Sequence, residues 1–292
     1  MCDRDSMNDA LEYLLKSEAL SRRRFGALAL GSGLTSLLPA AAQAADVKES
    51  EVDIKTPDGT ADAYFVHPSE GTYPGVLIWP DIFGLRPAFR QMGKRLAESG
   101  YSVLVVNPFY RVKKAPTAPA HADFNDPATR KMLTDLMSAL TPQTTVTDAK
   151  AFVPYLDHQP SVDKQRKMAT TGYCMGGSFT LRTAAAFPDR IGAGASFHGA
   201  RLVTDAPDSP HLLVPKIRAQ FLIAIAENDD KSEPKSQGIL GEAFAKAGLP
   251  AEVEVYTGAL HGWCVPDSRA YNADQAEKAW SRMLALFSRA LT

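Results

Sequence analysis

The stretch from Met168 to Phe187 constrains this chain more than any other: six uncharged, strand-suited residues run into CMGG without a loop, and a helix-forming segment follows at once. Such an abrupt strand-to-helix turn crowds its own backbone, so it needs glycine on either side of the turn residue. Gly172 and Gly176 supply this around Cys174. The turn pushes residue 174 up at the carboxyl edge of a sheet, where the free N–H groups opening the helix point at its sulfur and favour thiolate. A glycine-rich turn of this kind also serves packing alone in open α/β sheets, which leaves an inert buried thiol as the bland alternative.

The rest of the sequence supplies the sheet that this turn demands. Val52 to Thr56 and Ala61 to Val66 flank Pro57, Asp58 and Gly59 as an opening hairpin, and Gly75 to Trp79 and Tyr101 to Asn107 read as buried strands. Met168 to Tyr173, Ile191 to Phe197, Gln220 to Ala226 and Glu252 to Tyr256 continue the series. Helices are expected over Leu85 to Ser99, Ala128 to Leu140, Val146 to Tyr155, Gly177 to Phe187, Glu233 to Gly248 and Asn272 to Leu291. Alternation of this kind predicts an α/β fold with a mostly parallel central sheet and helices on both faces. Prolines break the regularity between Pro108 and Pro142, where a substrate-shaping insertion is expected.

Residues 1–44 are set apart as an export signal. Ser21 to Phe25 spell SRRRF, a twin-arginine pattern, followed by a moderately apolar run from Gly26 to Leu38 and a small-residue cleavage pattern at Ala42, Gln43 and Ala44. That run is shorter than the ~20 residues of a spanning helix. Residues 45–292 then form one domain, handed folded to the twin-arginine export machinery and working in the periplasm without a membrane span. With 32 Lys plus Arg against 33 Asp plus Glu and no basic stripe, a nucleic-acid partner is excluded and a small molecule is expected.

The order of residues after Cys174 points to nucleophilic catalysis. Asp229 is expected in a loop just beyond the strand Gln220 to Ala226, with Glu227 and Asp230 as competitors, and His261 falls after the last strand. Nucleophile, acid, histidine is the chain order in which a carboxylate orients an imidazole that takes the thiol proton. The oxyanion would be met by the N–H groups of Met175 and Ile82, the latter in the loop after Gly75 to Trp79. His198, ending the strand Ile191 to Phe197, is expected to line the substrate pocket. The histidines do not pair with carboxylates or cysteines at ligand spacing, so no metal is expected.

Taken together, the segments PDIFGL at Pro80, PFYR at Pro108, GYCMGG around Cys174, END at Asp229 and ALHGW at His261 resemble the dienelactone hydrolase family of α/β-hydrolases, in family order. The resemblance implies an α/β-hydrolase fold, a Cys174, His261, Asp229 triad acting on an ester or lactone through a thioester, an oxyanion hole from Ile82 and Met175, and no cofactor. It implies further that Asp81 stands where a glutamate helps switch the thiol to thiolate, and that Arg111 binds a substrate carboxylate. A second arginine expected after the histidine falls near Val265 and is absent. A thioesterase or other esterase of the same fold is the near alternative. Two others belong to different classes: a thiol redox protein pairing Cys174 with Cys264, and a binding domain that has kept the fold without hydrolysis.

Overall fold

The computed structural model describes residues 45–292, so the expected export signal over residues 1–44 lies outside the described residues. Eight strands form one sheet in the order β1-β2-β4-β3-β5-β6-β7-β8. They are β1 (Val47–Thr56), β2 (Gly59–Pro68), β3 (Gly75–Trp79), β4 (Ser102–Val106), β5 (Met168–Tyr173), β6 (Ile191–Phe197), β7 (Gln220–Ala226) and β8 (Ala251–Tyr256). Only β2 runs against its neighbours, pairing antiparallel with β1 and β4. The six strands β3 to β8 are parallel to one another.

The parallel centre explains its own sequence. GVLIW of β3 and SVLVV of β4 are buried at every position, as strands covered on both faces must be. One face is covered by α1 (Pro87–Glu98) and α7 (Ala273–Ala290), which send Phe89, Met92, Leu96, Trp280, Met283 and Phe287 into a shared layer. The other is covered by α3 (Pro142–Asp157), α4 (Met175–Ala186) and α6 (Ser236–Lys246), through Phe152, Val153, Leu181, Leu240 and Phe244 among others. The helix α2 (Pro127–Met137) in the irregular stretch adds Leu133 and Leu136 to that second layer.

Several expected boundaries move. The first strand begins at Val47 rather than Val52, because Lys48, Glu49, Ser50 and Glu51 pair with β2 at the exposed sheet edge, where polar side chains are suited. Instead of one helix from Glu233, two occur, a short α5 (Glu227–Ser232) directly after β7 and then α6. A 3₁₀ turn, Pro210–Lys216, also lies between β6 and β7.

The site is positioned by topology. From β3 the chain steps outward to β4, returns to β5 beside β3 and then proceeds through β6, β7 and β8 in the opposite direction. The reversal lies between β3 and β5, and the crevice at their carboxyl ends is where an open α/β sheet receives a ligand.

Candidate active site

Cys174 caps α4 with φ 52° and ψ −116°, a left-handed backbone that a cysteine adopts only under constraint. The neighbouring glycines show what imposes it. A Cβ on Gly172 would meet the Gly176 carbonyl oxygen at 2.0 Å, and one on Gly176 would meet the Trp79 carbonyl oxygen at 2.3 Å. The end of β3 therefore lies directly against the elbow, which brings the loop that follows β3 over the first turn of α4.

That loop is a tight turn. Phe83 N–H donates to Asp81 Oδ1 at 2.9 Å and Gly84 N–H donates to the Asp81 carbonyl at 2.9 Å, leaving Ile82 N–H outside the turn's internal bonds. Met175 N–H belongs to the first helical turn, where no intrahelical acceptor exists. The two expected oxyanion donors thus stand on adjoining segments.

His261 is fastened by three consecutive residues of β7's continuation. Its Nδ1 lies 2.7 Å from Asp229 Oδ2, its backbone N–H donates to Asn228 Oδ1 at 2.8 Å, and Glu227 accepts the Gly258 N–H at 2.6 Å. Asp229 sits on the short helix α5 rather than in a loop, since the ENDD run forms the first turn, where carboxylates meet free backbone N–H groups. Glu227, a competitor for the acid on spacing alone, is engaged by Lys231 and the Gly258 amide instead. Burial disfavours charge on His261, but the Asp229 carboxylate and the Cys174 sulfur outweigh it and raise the imidazole to about 10. An imidazolium facing the sulfur is the charge state that stabilises thiolate.

Three expected site residues take other positions. His198 is 1% exposed and lies against the Cys174 backbone amide instead of lining an open pocket. Asp81, expected to switch the thiol, is gripped by Arg86, whose Nη1 and Nη2 donate to its two oxygens at 2.6 and 2.9 Å. The shorter aspartate is therefore neutralised within its own loop. Arg111, expected to bind a substrate carboxylate, donates to Asp148 at 2.6 and 2.8 Å and to Asp58 at 2.6 and 3.0 Å, with Tyr110 OH completing Asp148 at 2.7 Å. Two carboxylates already match its fork, so a substrate anion would have to displace one of them.

Arg86 and Asn228 escaped sequence reasoning. The available signals were a carboxylate at Asp81 bordering apolar sequence, which needs a cation, and the side-chain acceptor next to Asp229. Arg86 also reaches Asp267 at 2.7 and 2.9 Å, joining the loop after β3 to the loop that follows His261. Cys174 and Cys264 are both free. Cys264 is buried in the layer under α1 and α7, whereas Cys174 packs against the opposite layer, so the sheet separates the packing of the two thiols that a disulfide would have to join. Burial pushes the Cys264 thiol up, away from reactivity. Among the described residues, no group of three or more His, Cys, Asp or Glu side chains could hold a metal ion, and no helix is long and apolar enough to cross a membrane.

The chain matches the model of the dienelactone hydrolase family over residues 61–291. A carboxymethylenebutenolidase of Rhodococcus opacus is 28% identical over 243 residues, covering 82% of this chain and 90% of that protein. Among solved structures, a candidate dienelactone hydrolase from Klebsiella pneumoniae aligns with TM-score 0.73 at 23% identity, covering 84% of this chain and 99% of its own. A dienelactone hydrolase-like promiscuous phosphotriesterase, P91, from metagenomic libraries aligns with TM-score 0.68 at 22% identity and the same coverages. Likeness at these structural identities speaks for the fold, and the family match spans nearly all of the sheet and all three residues Cys174, Asp229 and His261. The chain belongs to the dienelactone hydrolase family and is a hydrolase of that family.

Proposed function

We propose that the protein cleaves a carboxylic ester or lactone by acyl transfer through Cys174. The sulfur attacks the acyl carbon as thiolate, the C–O bond breaks, and the His261 imidazolium gives its proton to the leaving alkoxide, forming a thioester. Water then loses a proton to the neutral imidazole and attacks the thioester carbon; the C–S bond breaks, releasing the acid and restoring thiolate and imidazolium. Asp229 holds the ring in the required tautomer, and the amides of Ile82 and Met175 meet the oxyanion.

The observation that carries this reading is the 2.7 Å contact from Asp229 to His261 on a ring that the Cys174 sulfur also charges. With Arg111 tied to Asp148 and Asp58, and with Val265 buried where the resemblance places an arginine, a neutral ester or lactone fits better than one bearing a carboxylate. The twin-arginine pattern at Ser21 to Phe25 supports export of the folded chain to the periplasm, with cleavage before Ala45.

The test is turnover of neutral and carboxylate-bearing aryl esters, lactones and thioesters by the wild type, Cys174→Ala and His261→Ala. Loss of turnover in both variants is expected, and full activity in either rejects the reading. Fractionation of cells carrying Arg22→Lys with Arg23→Lys should leave the protein in the cytoplasm.

A further inference from the structure

We infer that His198 is a positioning residue for Cys174, a neutral imidazole whose Nδ1 accepts the nucleophile's own backbone amide while its ring backs His261. This rests on the reading of Cys174 as nucleophile and extends it to the residue that sets the sulfur's direction.

Three observations meet at this ring. Cys174 N–H donates to His198 Nδ1 at 3.1 Å and shares that proton with the Phe197 carbonyl at 3.1 Å. The Cys174 carbonyl accepts Ala200 N–H at 2.9 Å, so both backbone polar groups of the nucleophile are tied to the same three-residue loop after β6. The His198 ring packs at 4.9 Å from His261 and 5.2 Å from Trp263, edge to face in both cases.

The loop is itself constrained. His198 has φ 40°, in the left-handed region, and its N–H donates to the Ala224 carbonyl at 2.8 Å. Left-handed conformations in non-glycine residues are strained and persist where surrounding structure determines them. Here two such residues, Cys174 and His198, are joined by one hydrogen bond at the crevice edge.

The chemistry dictates the protonation state. A nitrogen that accepts from an amide carries no proton, so the hydrogen is on Nε2, which is buried without a partner. A second proton would turn Nδ1 against the Cys174 amide and put a cation beside the His261 imidazolium. Burial and the His261 charge accordingly press the His198 ring well below the ordinary histidine value. The ring is therefore a fixed acceptor under the elbow, and its neutrality leaves the positive charge of the site on His261 alone.

The test compares His198→Asn with His198→Phe. Asparagine keeps an acceptor oxygen near the Nδ1 position and tolerates left-handed backbone, whereas phenylalanine keeps the ring and loses the acceptor. The Phe variant should lose ~10²-fold in kcat with KM unchanged, as expected for a small misdirection of a reacting atom. The Asn variant should recover most of that loss. Alkylation of Cys174 by iodoacetamide, followed by peptide mass spectrometry, should slow in the Phe variant and recover in the Asn variant. This readout needs no substrate, so it separates failure of the present inference from failure of the ester-hydrolase reading. Imidazole ¹⁵N spectra of the wild-type protein at neutral pH cover the case in which the Phe variant does not fold. They should show His198 neutral with its proton on Nε2. A proton on Nδ1, equal impairment of both variants, or full kcat and alkylation in His198→Phe would overturn the inference.

Discussion

Arg86 holds Asp81 through both of its terminal nitrogens, at 2.6 and 2.9 Å. Its Nε and Nη2 reach Asp267 as well, so one guanidinium joins the loop bearing Ile82 to the loop that follows His261. Replacing Arg86 by Met would leave the Asp81 carboxylate, 7% exposed, with little more than the Phe83 amide. Removing one partner of a buried pair costs about 3–5 kcal/mol. Urea denaturation should show that loss for Arg86→Met and recover part of it when Asp81→Asn is added. An unchanged midpoint in the single variant would contradict the pairing.

Arg111 should behave as a structural residue. Asp148 is 1% exposed, and burial raises its carboxyl against the opposing pull of Arg111 and Tyr110. Arg111→Met is expected to destabilise the fold by about 3–5 kcal/mol for the same reason. KM for a neutral ester should stay within about twofold of wild type, a shift under 0.5 kcal/mol. A large rise in KM at unchanged stability would make Arg111 a substrate ligand after all.

The elbow glycines are predicted to tolerate no side chain. At Gly172 and Gly176 the added methyl would strike carbonyl oxygens of Gly176 and Trp79, backbone that cannot rotate away. Ala at either position should cost ~3 kcal/mol or more, at or beyond the top of the usual overpacking range. The readouts are soluble yield and thermal midpoint. A soluble Gly172→Ala protein with wild-type melting would rule out the packing described.

The pH dependence of stability carries a sign. His261 is raised in the folded state to about 10, so its contribution is full below the unfolded value near 6.5 and disappears as pH rises through about 10. Asp229→Asn removes one source of that shift, and the stability difference from wild type should be larger near pH 6 than near pH 10. The His261 side chain is 34% exposed, so solvent screening keeps the effect well below the ~1.4 kcal/mol per unit of a fully buried group. Equal differences at the two pH values would remove the link. Turnover in Asp229→Asn should fall by ~10⁴-fold, the scale seen when a triad loses the group that orients its base.

Legibility in the sequence followed burial. β3, β5, β6 and β7 occupy the very runs that their sequences marked, because a strand covered on both faces has to be uncharged and mostly apolar. The first half of β1 and all of α5 were missed for the converse reason. KESE at the edge and ENDDKS after β7 bury little, and neither period of hydrophobicity is present to be read. α5 depends instead on ties to the histidine loop, through Asn228 and Asp229 to His261 and through Glu227 to Gly258.

By itself the sequence determined the parallel sheet, the elbow at Cys174 and the order in which acid and histidine return to it. Each of these is local: an apolar run, a glycine pair, a residue just past a strand. Which charged groups are left free and which are tied into the scaffold was decided only in three dimensions. Asp81 and Arg111 are candidates for chemistry in one dimension, yet Arg86, Asp148 and Asp58 neutralise them across turns and between separate elements. A charge takes its role from what lies within a few ångströms of it, and for these residues that neighbourhood is assembled by the fold.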